Sequence, residues 1–209
     1  MKLSDDFYRR EDVVLIAKEL LGKFLYTRIN GIVTGGMIVE TEAYRGPEDR
    51  GSHAYNGRRT PRNETMYAAG GHVYMYICYG IHDMLNIVTG QEGTSHAVLI
   101  RAVDPTEGID IMRERRNIFG NDSQLCKGPG ALAKALGLAK IHNGTSLHGS
   151  EIWIEDRNVN YSEDQIIASP RIGMNFAGPY KTIPWRFYVK GNKNVSGKKY
   201  TSVNEAAES

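Results

Sequence analysis

The sequence predicts an α+β fold, a single compact domain in which a curved, mainly antiparallel β-sheet is surrounded by helices. Two hairpin signals favour antiparallel over parallel pairing: Asn30-Gly31 is a typical two-residue hairpin loop, and residues 90–93 form a glycine-containing turn between strand-like runs. The third observation is length, because 209 residues, 41% of them hydrophobic, suffice for one large domain or two small ones. No internal repeat divides them, so we expect one domain over residues 1–198.

One helix and five strands are expected in the first half of the chain. Apolar residues at helical spacing predict a helix over residues 12–23, with Gly22 at its end. β-Branched and aromatic residues predict strands over residues 24–29, 32–44, 72–78, 84–89 and 96–103. Residues 45–66 are polar and contain several glycines and prolines, which predicts a long surface loop of the kind that often carries function.

Two helices and two strands are expected in the second half. A helix over residues 106–116 should begin after Pro105, with Pro105 or Thr106 near its cap. A second helix, over residues 131–136, follows Gly128-Pro129-Gly130. Residues 151–155 and 185–190 are typical of strands, and the composition of residues 199–209 predicts a disordered tail.

Composition narrows the class of protein. The chain starts with charged residues and has no apolar run long enough to span a membrane, which predicts a cytoplasmic protein without signal peptide or membrane association. Cys78 and Cys126 are then expected to be reduced thiols. The net charge of +2 does not by itself indicate a nucleic-acid partner.

Basic residues are nevertheless concentrated in two segments. Residues 181–199 contain six basic residues and no acidic one, and residues 45–62 contain five arginines against two acids. After folding, the two segments could form one phosphate-facing surface. For either segment alone, a solubilising surface and a loose C-terminal tail are the favoured interpretation.

Three polar side chains interrupt strand-like apolar runs. They are Glu42, Asn86 and Arg101. Burying an unpaired neutral polar group costs on the order of 2–7 kcal/mol, so three of them in neighbouring candidate strands indicate a shared polar site. The alternatives are a Glu42–Arg101 salt bridge inside the core, or side chains that face solvent from a half-buried sheet.

Aromatic residues accompany this predicted site. Side chains alternate along a strand, so Glu42 and Tyr44 share a face, as do Tyr74 and Tyr76 on the next strand. Tyr79 precedes Gly80 at the end of that strand, where a turn would expose it. Tyrosines on a sheet often only pack, but four between residues 67 and 79 support a site that stacks planar bases.

At this point the chain resembles the alkyladenine (3-methyladenine, methylpurine) DNA glycosylase family. The resemblance extends in family order from about residue 17 to residue 190. No single motif is decisive, but the ordered set is highly specific. The matching segments are MIVETEAY (37–44), GPED (46–49), SHA (52–54), RTPRN (59–63), VYMYICYG (73–80), LNI (85–87), LIRA (99–102), CKGP (126–129), RIG (171–173) and WRFY (185–188).

The resemblance implies a monofunctional glycosylase with a single α/β domain, no metal and no cofactor. It implies that Glu42 is the general base that activates water and that Arg101 helps to hold this water. It also implies that the flipped base lies between Tyr44 on one side and His53 and Tyr76 on the other. Asn86 then matches the floor residue, which excludes guanine by crowding its exocyclic amine.

The implied partner is double-stranded DNA that contains damaged purines, bound by a monomer. Tyr79 matches the residue that wedges into the vacated stack, although Ile81 and His82 after it depart from the family pattern. Further DNA contacts are expected from Tyr74, Arg58 and Lys127. Backbone amides after Lys127 could receive a phosphate, but a simple helix start explains this segment equally well.

Two other functions fit the same residues. One is a non-catalytic binder of single-stranded or damaged nucleic acid, which a carboxylate inside the pocket would hinder. The other is a glycosylase/lyase with a Schiff-base lysine, although the candidate pocket strands contain no lysine. Metal binding is not expected, because no histidine pair has a zinc-site spacing with cysteine or carboxylate support.

Overall fold

The computed structural model describes residues 1–200, and its centre is an open antiparallel sheet of eight strands. Six strands follow the order β3-β4-β5-β2-β1-β6, while β8 pairs with β2 and with β7. This arrangement confirms the predicted α+β class. The strands are β1 Phe24–Ile29, β2 Ile32–Arg45, β3 Val73–Cys78, β4 His82–Thr89, β5 His96–Glu107, β6 Ile152–Glu155, β7 Ile166–Ser169 and β8 Arg186–Val189.

Strand β2 lies at the middle of the sheet. Asn30 and Gly31 turn β1 into β2 with positive φ angles of 53° and 78°, as the predicted hairpin loop requires. β2 then has β5 along one edge, and first β1 and afterwards β8 along the other. Register shifts on either side of Glu40 bend the strand. Residues 40–42 are therefore enclosed by β5 and β8 and are fully buried.

Five helices accompany the sheet within residues 1–200: α1 Asp5–Tyr8, α2 Val13–Glu19, α3 Ile109–Arg116, α4 Pro129–Ala135 and α5 Pro179–Thr182. The Asp12 side chain caps α2 by accepting from the backbone of Val14 and Leu15. Buried residues of α2, α3 and α4 join those of the sheet in the main hydrophobic core. None of these helices has the length and apolar character needed to cross a membrane.

The bounds of all three predicted helices differ from the structure. The helix predicted over residues 12–23 is α2, which ends at Glu19. The chain turns before Gly22, whose φ is +85° and whose N–H donates to Ile38 O. The helix predicted over residues 106–116 is α3, which begins at Ile109. Residues up to Glu107 extend β5 along β2, and Gly108 caps the helix. The helix predicted over residues 131–136 begins two residues earlier, at Pro129, and ends at Ala135. The sequence analysis also did not predict α1, α5 or β7.

The segment 45–66 is more than a surface loop. It contains a 3₁₀ turn at Tyr55–Gly57, begins another at Glu64–Tyr67, and buries Asp49 and Asn63. With the sheet it encloses a small second core, which includes Tyr74 and Ala97, whereas their neighbours Val73 and Val98 belong to the main core. Because strand side chains alternate, this segment covers the face of the sheet opposite the main core.

The predicted disordered tail, residues 199–209, lies mostly outside the described residues. Of the tail, only Lys199 and Tyr200 are described, and the Tyr200 N–H donates to the Tyr188 hydroxyl at 2.7 Å. The proposed division at residue 198 therefore stays a prediction.

Candidate active site

The register of four strands places one row of side chains across the face under segment 45–66. Glu42 on β2 pairs with Leu99 on β5, Leu99 with Asn86 on β4, and Asn86 with Tyr74 on β3. Directly paired residues point to the same face of an antiparallel sheet. The polar residues that interrupt β2 and β4 thus lie on one row.

Two adjoining cavities open on this face. The smaller, of about 150 Å³, is lined by Tyr44, Gly51, His53, Met66, Tyr74, Tyr76, Asn86, Ala97 and Met174. The larger, of about 390 Å³, is bordered by residues of β3–β5, residues 128–131 and residues 172–174, including Arg101 and Tyr79. Tyr44, Tyr76 and Met174 border both cavities.

Glu42 lies behind the wall that Tyr44 and Arg101 form. Its side chain is completely buried, and it lines neither cavity. Its Oε1 accepts from the Ile172 N–H at 2.8 Å and lies 3.2 Å from Arg101 Nη1. Its Oε2 accepts from the Tyr44 hydroxyl at 2.9 Å. The predicted proximity of residues 42, 44 and 101 is therefore present.

Arg101 has contacts beyond the predicted one. Besides facing Glu42, it donates from Nε to Glu40 at 2.9 Å and from Nη2 to the Ser196 hydroxyl at 3.2 Å. Burial alone would lower the pKa of Arg101, but the carboxylates of Glu42 and Glu40 more than offset it and raise the pKa. The guanidinium is thus a permanent cation between two buried carboxylates.

Tyr44 is fixed from two directions. Its hydroxyl is bound to Glu42, and the Arg171 guanidinium lies 4.5 Å from its ring centroid. Burial, followed by the charge of Glu42, raises the pKa of Tyr44 well above its usual value. The hydroxyl therefore stays protonated and donates to the carboxylate.

His53 and Tyr76 lie side by side, as the resemblance implies. Their ring centroids are 4.5 Å apart and nearly perpendicular, and His53 Nδ1 lies 2.9 Å from the Tyr74 hydroxyl. Partial desolvation, together with the charges of Arg62 and Arg58, lowers the pKa of His53. Burial raises the pKa of Tyr74 to about 12, so both groups are neutral near pH 7.

Asn86 borders the smaller cavity, as expected for a floor residue. Its Nδ2 donates to Tyr74 O at 3.2 Å, which ties the amide to the neighbouring strand β3. Tyr79 occupies the β3–β4 turn with a φ of +50° and 85% of its surface exposed. It borders the larger cavity, so the residue expected to act as a wedge lies on the same face as the cavities.

The remaining predicted DNA contacts are peripheral. Arg58 lines a third cavity, of about 290 Å³, together with Arg50, Arg62, His53 and Tyr74. Lys127 forms an antiparallel bridge with Ala102, directly before residues 128–131 at the larger cavity. Neither residue borders the two cavities next to Glu42.

Not every basic residue of the two segments is available to a phosphate-facing surface. Arg186 is 1% exposed and donates to Glu40, so it belongs to the interior. Arg45 pairs with Glu48, and Arg59 pairs with Glu64. The exposed charge near the cavities comes from the other three arginines of residues 45–62, which are Arg50, Arg58 and Arg62.

Several residues that support the site were not among the predicted site residues. Glu40 binds Arg101, Arg186 and Ser196, and Asp49 forms a fully buried ion pair with Arg171. Glu40 interrupts the same apolar run as Glu42, and this signal was available. Among residues 1–200, no group of three or more His, Cys, Asp or Glu side chains is arranged to hold a metal ion.

Comparison with known proteins gives a consistent result. The family model of methylpurine-DNA glycosylase (MPG) matches residues 6–193. A Clostridium acetobutylicum protein named "Putative 3-methyladenine DNA glycosylase" is 46% identical over 204 residues, covering 94% of this chain and 98% of its own. Two proteins with the same name are also similar to this chain. The one from Chlamydia felis is 45% identical and covers 92% of this chain and 98% of its own. The one from Clostridium perfringens strain 13 is 43% identical and covers 95% of this chain and 100% of its own.

Proposed function

The chain belongs to the methylpurine-DNA glycosylase family, and from this premise we propose a monofunctional enzyme of base excision repair. It flips alkylated or deaminated purines out of duplex DNA and hydrolyses the N-glycosidic bond with a water that Glu42 activates, leaving an abasic site. Membership of the family already makes the chain a DNA glycosylase, a hydrolase of N-glycosyl bonds. The lesion range, the flipping step and the residue roles are the proposed part.

The observation that carries the proposal is the hydrogen bonding of Glu42. Oε1 is engaged by Ile172 and Arg101, whereas Oε2 accepts only from the Tyr44 hydroxyl among the described contacts. A carboxylate oxygen accepts about two hydrogen bonds, so Oε2 retains a site for one water. Arg101 borders the larger cavity and can hold such a water from its other side.

This arrangement supports hydrolysis through a sugar with oxocarbenium character. A buried carboxylate next to the sugar stabilises the developing positive charge and takes a proton from the attacking water. A cationic alkylated purine leaves without protonation. A neutral purine such as hypoxanthine needs a proton donor, for which we assign no residue.

The base-binding part of the proposal rests on the walls of the cavities. Tyr44 and Tyr76 border both cavities, so a purine that enters from the DNA side meets aromatic rings throughout. Such rings stack planar bases and attract cationic ones by roughly 0.5–2 kcal/mol per contact. Asn86 at the smaller cavity would crowd the exocyclic amine of guanine.

We propose that the enzyme acts as a monomer on double-stranded DNA. The relatives' names mention 3-methyladenine, and we propose that this base is among the substrates of this chain. The exposed Tyr79 would fill the space that the flipped nucleotide leaves, and Arg58 and Lys127 would add contacts to the strand. Tyr74, expected from the sequence to contact DNA, is only 1% exposed in the wall of the smaller cavity, so it would meet the flipped base and not the strand.

The test is release of free base from duplexes that carry 7-methylguanine or hypoxanthine. We expect release by wild type, and binding without release by Glu42→Gln. The control Glu163→Gln changes an exposed glutamate that pairs with Lys18, and should behave as wild type. A wild-type protein that binds these lesions but liberates no base contradicts the proposal.

A second measurement separates hydrolysis from lyase chemistry. Borohydride reduction traps a Schiff base between a lysine and the abasic sugar. No lysine lines the two cavities within residues 1–200, so we expect no covalent adduct. A trapped adduct would overturn the monofunctional assignment.

A further inference from the structure

Glu40 is a fully buried carboxylate two residues before Glu42, and it borders neither cavity. Its Oε1 accepts from Arg101 Nε at 2.9 Å, from Arg186 Nε at 2.7 Å and from the Ser196 hydroxyl at 3.1 Å. Its Oε2 accepts from the Ser196 N–H at 2.7 Å. Four donors thus enclose one carboxylate that touches no substrate space.

These contacts determine how Arg101 is oriented. Nε is held by Glu40, Nη2 by the Ser196 hydroxyl, and Nη1 is left to face Glu42 at 3.2 Å. A guanidinium is planar, so fixing two of its nitrogens fixes the direction of the third. The angle at which Arg101 meets Glu42 is therefore set by Glu40 and Ser196, two residues that do not border the cavities.

Arg186 balances the charge of this cluster. Two carboxylates, Glu40 and Glu42, lie among two guanidiniums, and Arg186 also donates to the backbone oxygen of Ser196 at 2.6 Å. Without Arg186, one buried cation would have to satisfy two buried anions. With it, Glu40 holds Arg101 without drawing its whole charge away from Glu42.

We propose that Glu40 and Ser196 are positioning residues, which hold the Arg101 guanidinium so that Nη1 meets Glu42 at the angle needed for base release. The inference rests on the proposed function, in which Arg101 and Glu42 act on the same water. Ser196 contributes from the C-terminal segment, so the closing part of the chain completes a site that β2 and β5 begin.

The test is single-turnover base release by Glu40→Gln and by Ser196→Ala, each in the wild-type and in an Arg101→Lys background. In wild type we expect Glu40→Gln to slow release by on the order of 10²-fold, the loss typical of a misplaced catalytic group. Ser196→Ala, which removes only a hydroxyl, should slow it by about 2- to 10-fold. Affinity for lesion DNA should be retained, because neither residue borders the cavities.

The Arg101→Lys background shows whether the effect passes through Arg101. Lysine keeps the charge but has one nitrogen, so it cannot bind Glu40, Ser196 and Glu42 at once. Both second substitutions should then cost nothing further. Equal fold losses in both backgrounds, or no loss in wild type, would overturn the inference.

One control and one fallback variant keep the result interpretable. Thr27→Ala removes another buried hydroxyl, which donates to Leu136 O over 2.7 Å. Thr27 lines neither cavity, so this substitution should leave the rate unchanged. If Glu40→Gln does not fold, the Ser196→Ala cycle alone decides. Failure of the wild-type protein to release base would reject the proposed function. Normal release by wild type, with unchanged rates in Glu40→Gln and Ser196→Ala, would reject only this inference.

Discussion

The Arg171 guanidinium carbon lies 4.5 Å from the centroid of the Tyr44 ring. Arg171 lines neither cavity, although Tyr44 lines both, so the cation backs the ring on the side away from the cavities. A cationic purine that stacks on Tyr44 would therefore share this ring with a second cation. We expect Tyr76 to provide more of the attraction for charged lesions than Tyr44 does.

Asp49→Asn should destabilise the fold strongly. Asp49 and Arg171 are joined by two hydrogen bonds of 2.6 and 2.7 Å, and both side chains are fully buried. Removing one partner of a buried pair leaves an uncompensated charge, which typically lowers the free energy of unfolding by about 3–5 kcal/mol. Urea denaturation measures the loss. The exposed pair of Lys18 and Glu163 offers the control, because Glu163→Gln should change the midpoint very little.

Tyr44→Phe should slow base release without weakening lesion binding. The substitution keeps the ring and removes only the hydroxyl that donates to Glu42 at 2.9 Å. Hydrogen bonds to charged groups contribute about 1.5–3 kcal/mol, which corresponds to roughly 10- to 10²-fold in rate if the bond is needed in the transition state. Single-turnover rates and affinities of the two proteins test this. An unchanged rate would mean that the hydroxyl does not orient the carboxylate.

Much of the fold could be predicted because its signals are local. The bounds predicted for the first strand, 24–29, agree with β1, since aromatic and β-branched residues end there at an Asn-Gly loop. The wrong start of α3 has a non-local cause. Pro105 resembles a helix start in sequence, but β2 pairs with it through Gly36 and continues the strand. Such a competition is decided by tertiary pairing, which local patterns do not contain.

The residues of the site also differ in whether a local sequence signal reveals them. Glu42, Asn86 and Arg101 could be found because each interrupts an apolar run, and burial of a polar group requires partners. The buried position of Arg186 could not be predicted, because charged residues lie mostly at protein surfaces and no local pattern marks this one as an exception. Ser196 carries no signal at all, since its contact with Glu40 depends on the C-terminal segment folding back against β2.

Arg62→Gln should raise the pKa of His53. Partial desolvation and the positive charges of Arg62 and Arg58 hold this pKa below its ordinary value of 6.5. Removing one cation favours the protonated ring, so the pKa should move up towards 6.5. NMR titration of the imidazole resonances measures it. Arg28→Gln, on β1, removes an equal charge away from His53 and should leave the titration where it is.

Asn86→Ser should relax the exclusion of normal guanine. The shorter side chain enlarges the smaller cavity where the exocyclic amine of guanine would otherwise meet the amide. Release of guanine from undamaged duplex should rise relative to release of 7-methylguanine. Asn143→Ser is the matched control, because Asn143 supports the backbone of Met75 and borders neither cavity. Identical selectivity in both variants would remove the floor assignment.

Tyr79→Ala should weaken flipping more than chemistry. Tyr79 is 85% exposed at the β3–β4 turn, so its removal opens no cavity in the core and should leave the fold intact. A wedge acts only when a neighbouring base pair has to be kept from closing. The variant should therefore lose activity on a paired lesion and keep it on the same lesion in single-stranded DNA. Phe119→Ala, which removes an exposed aromatic ring elsewhere, should affect neither substrate. If Tyr79→Ala slows both substrates equally, the ring contributes to chemistry or to general binding, and the wedge role fails.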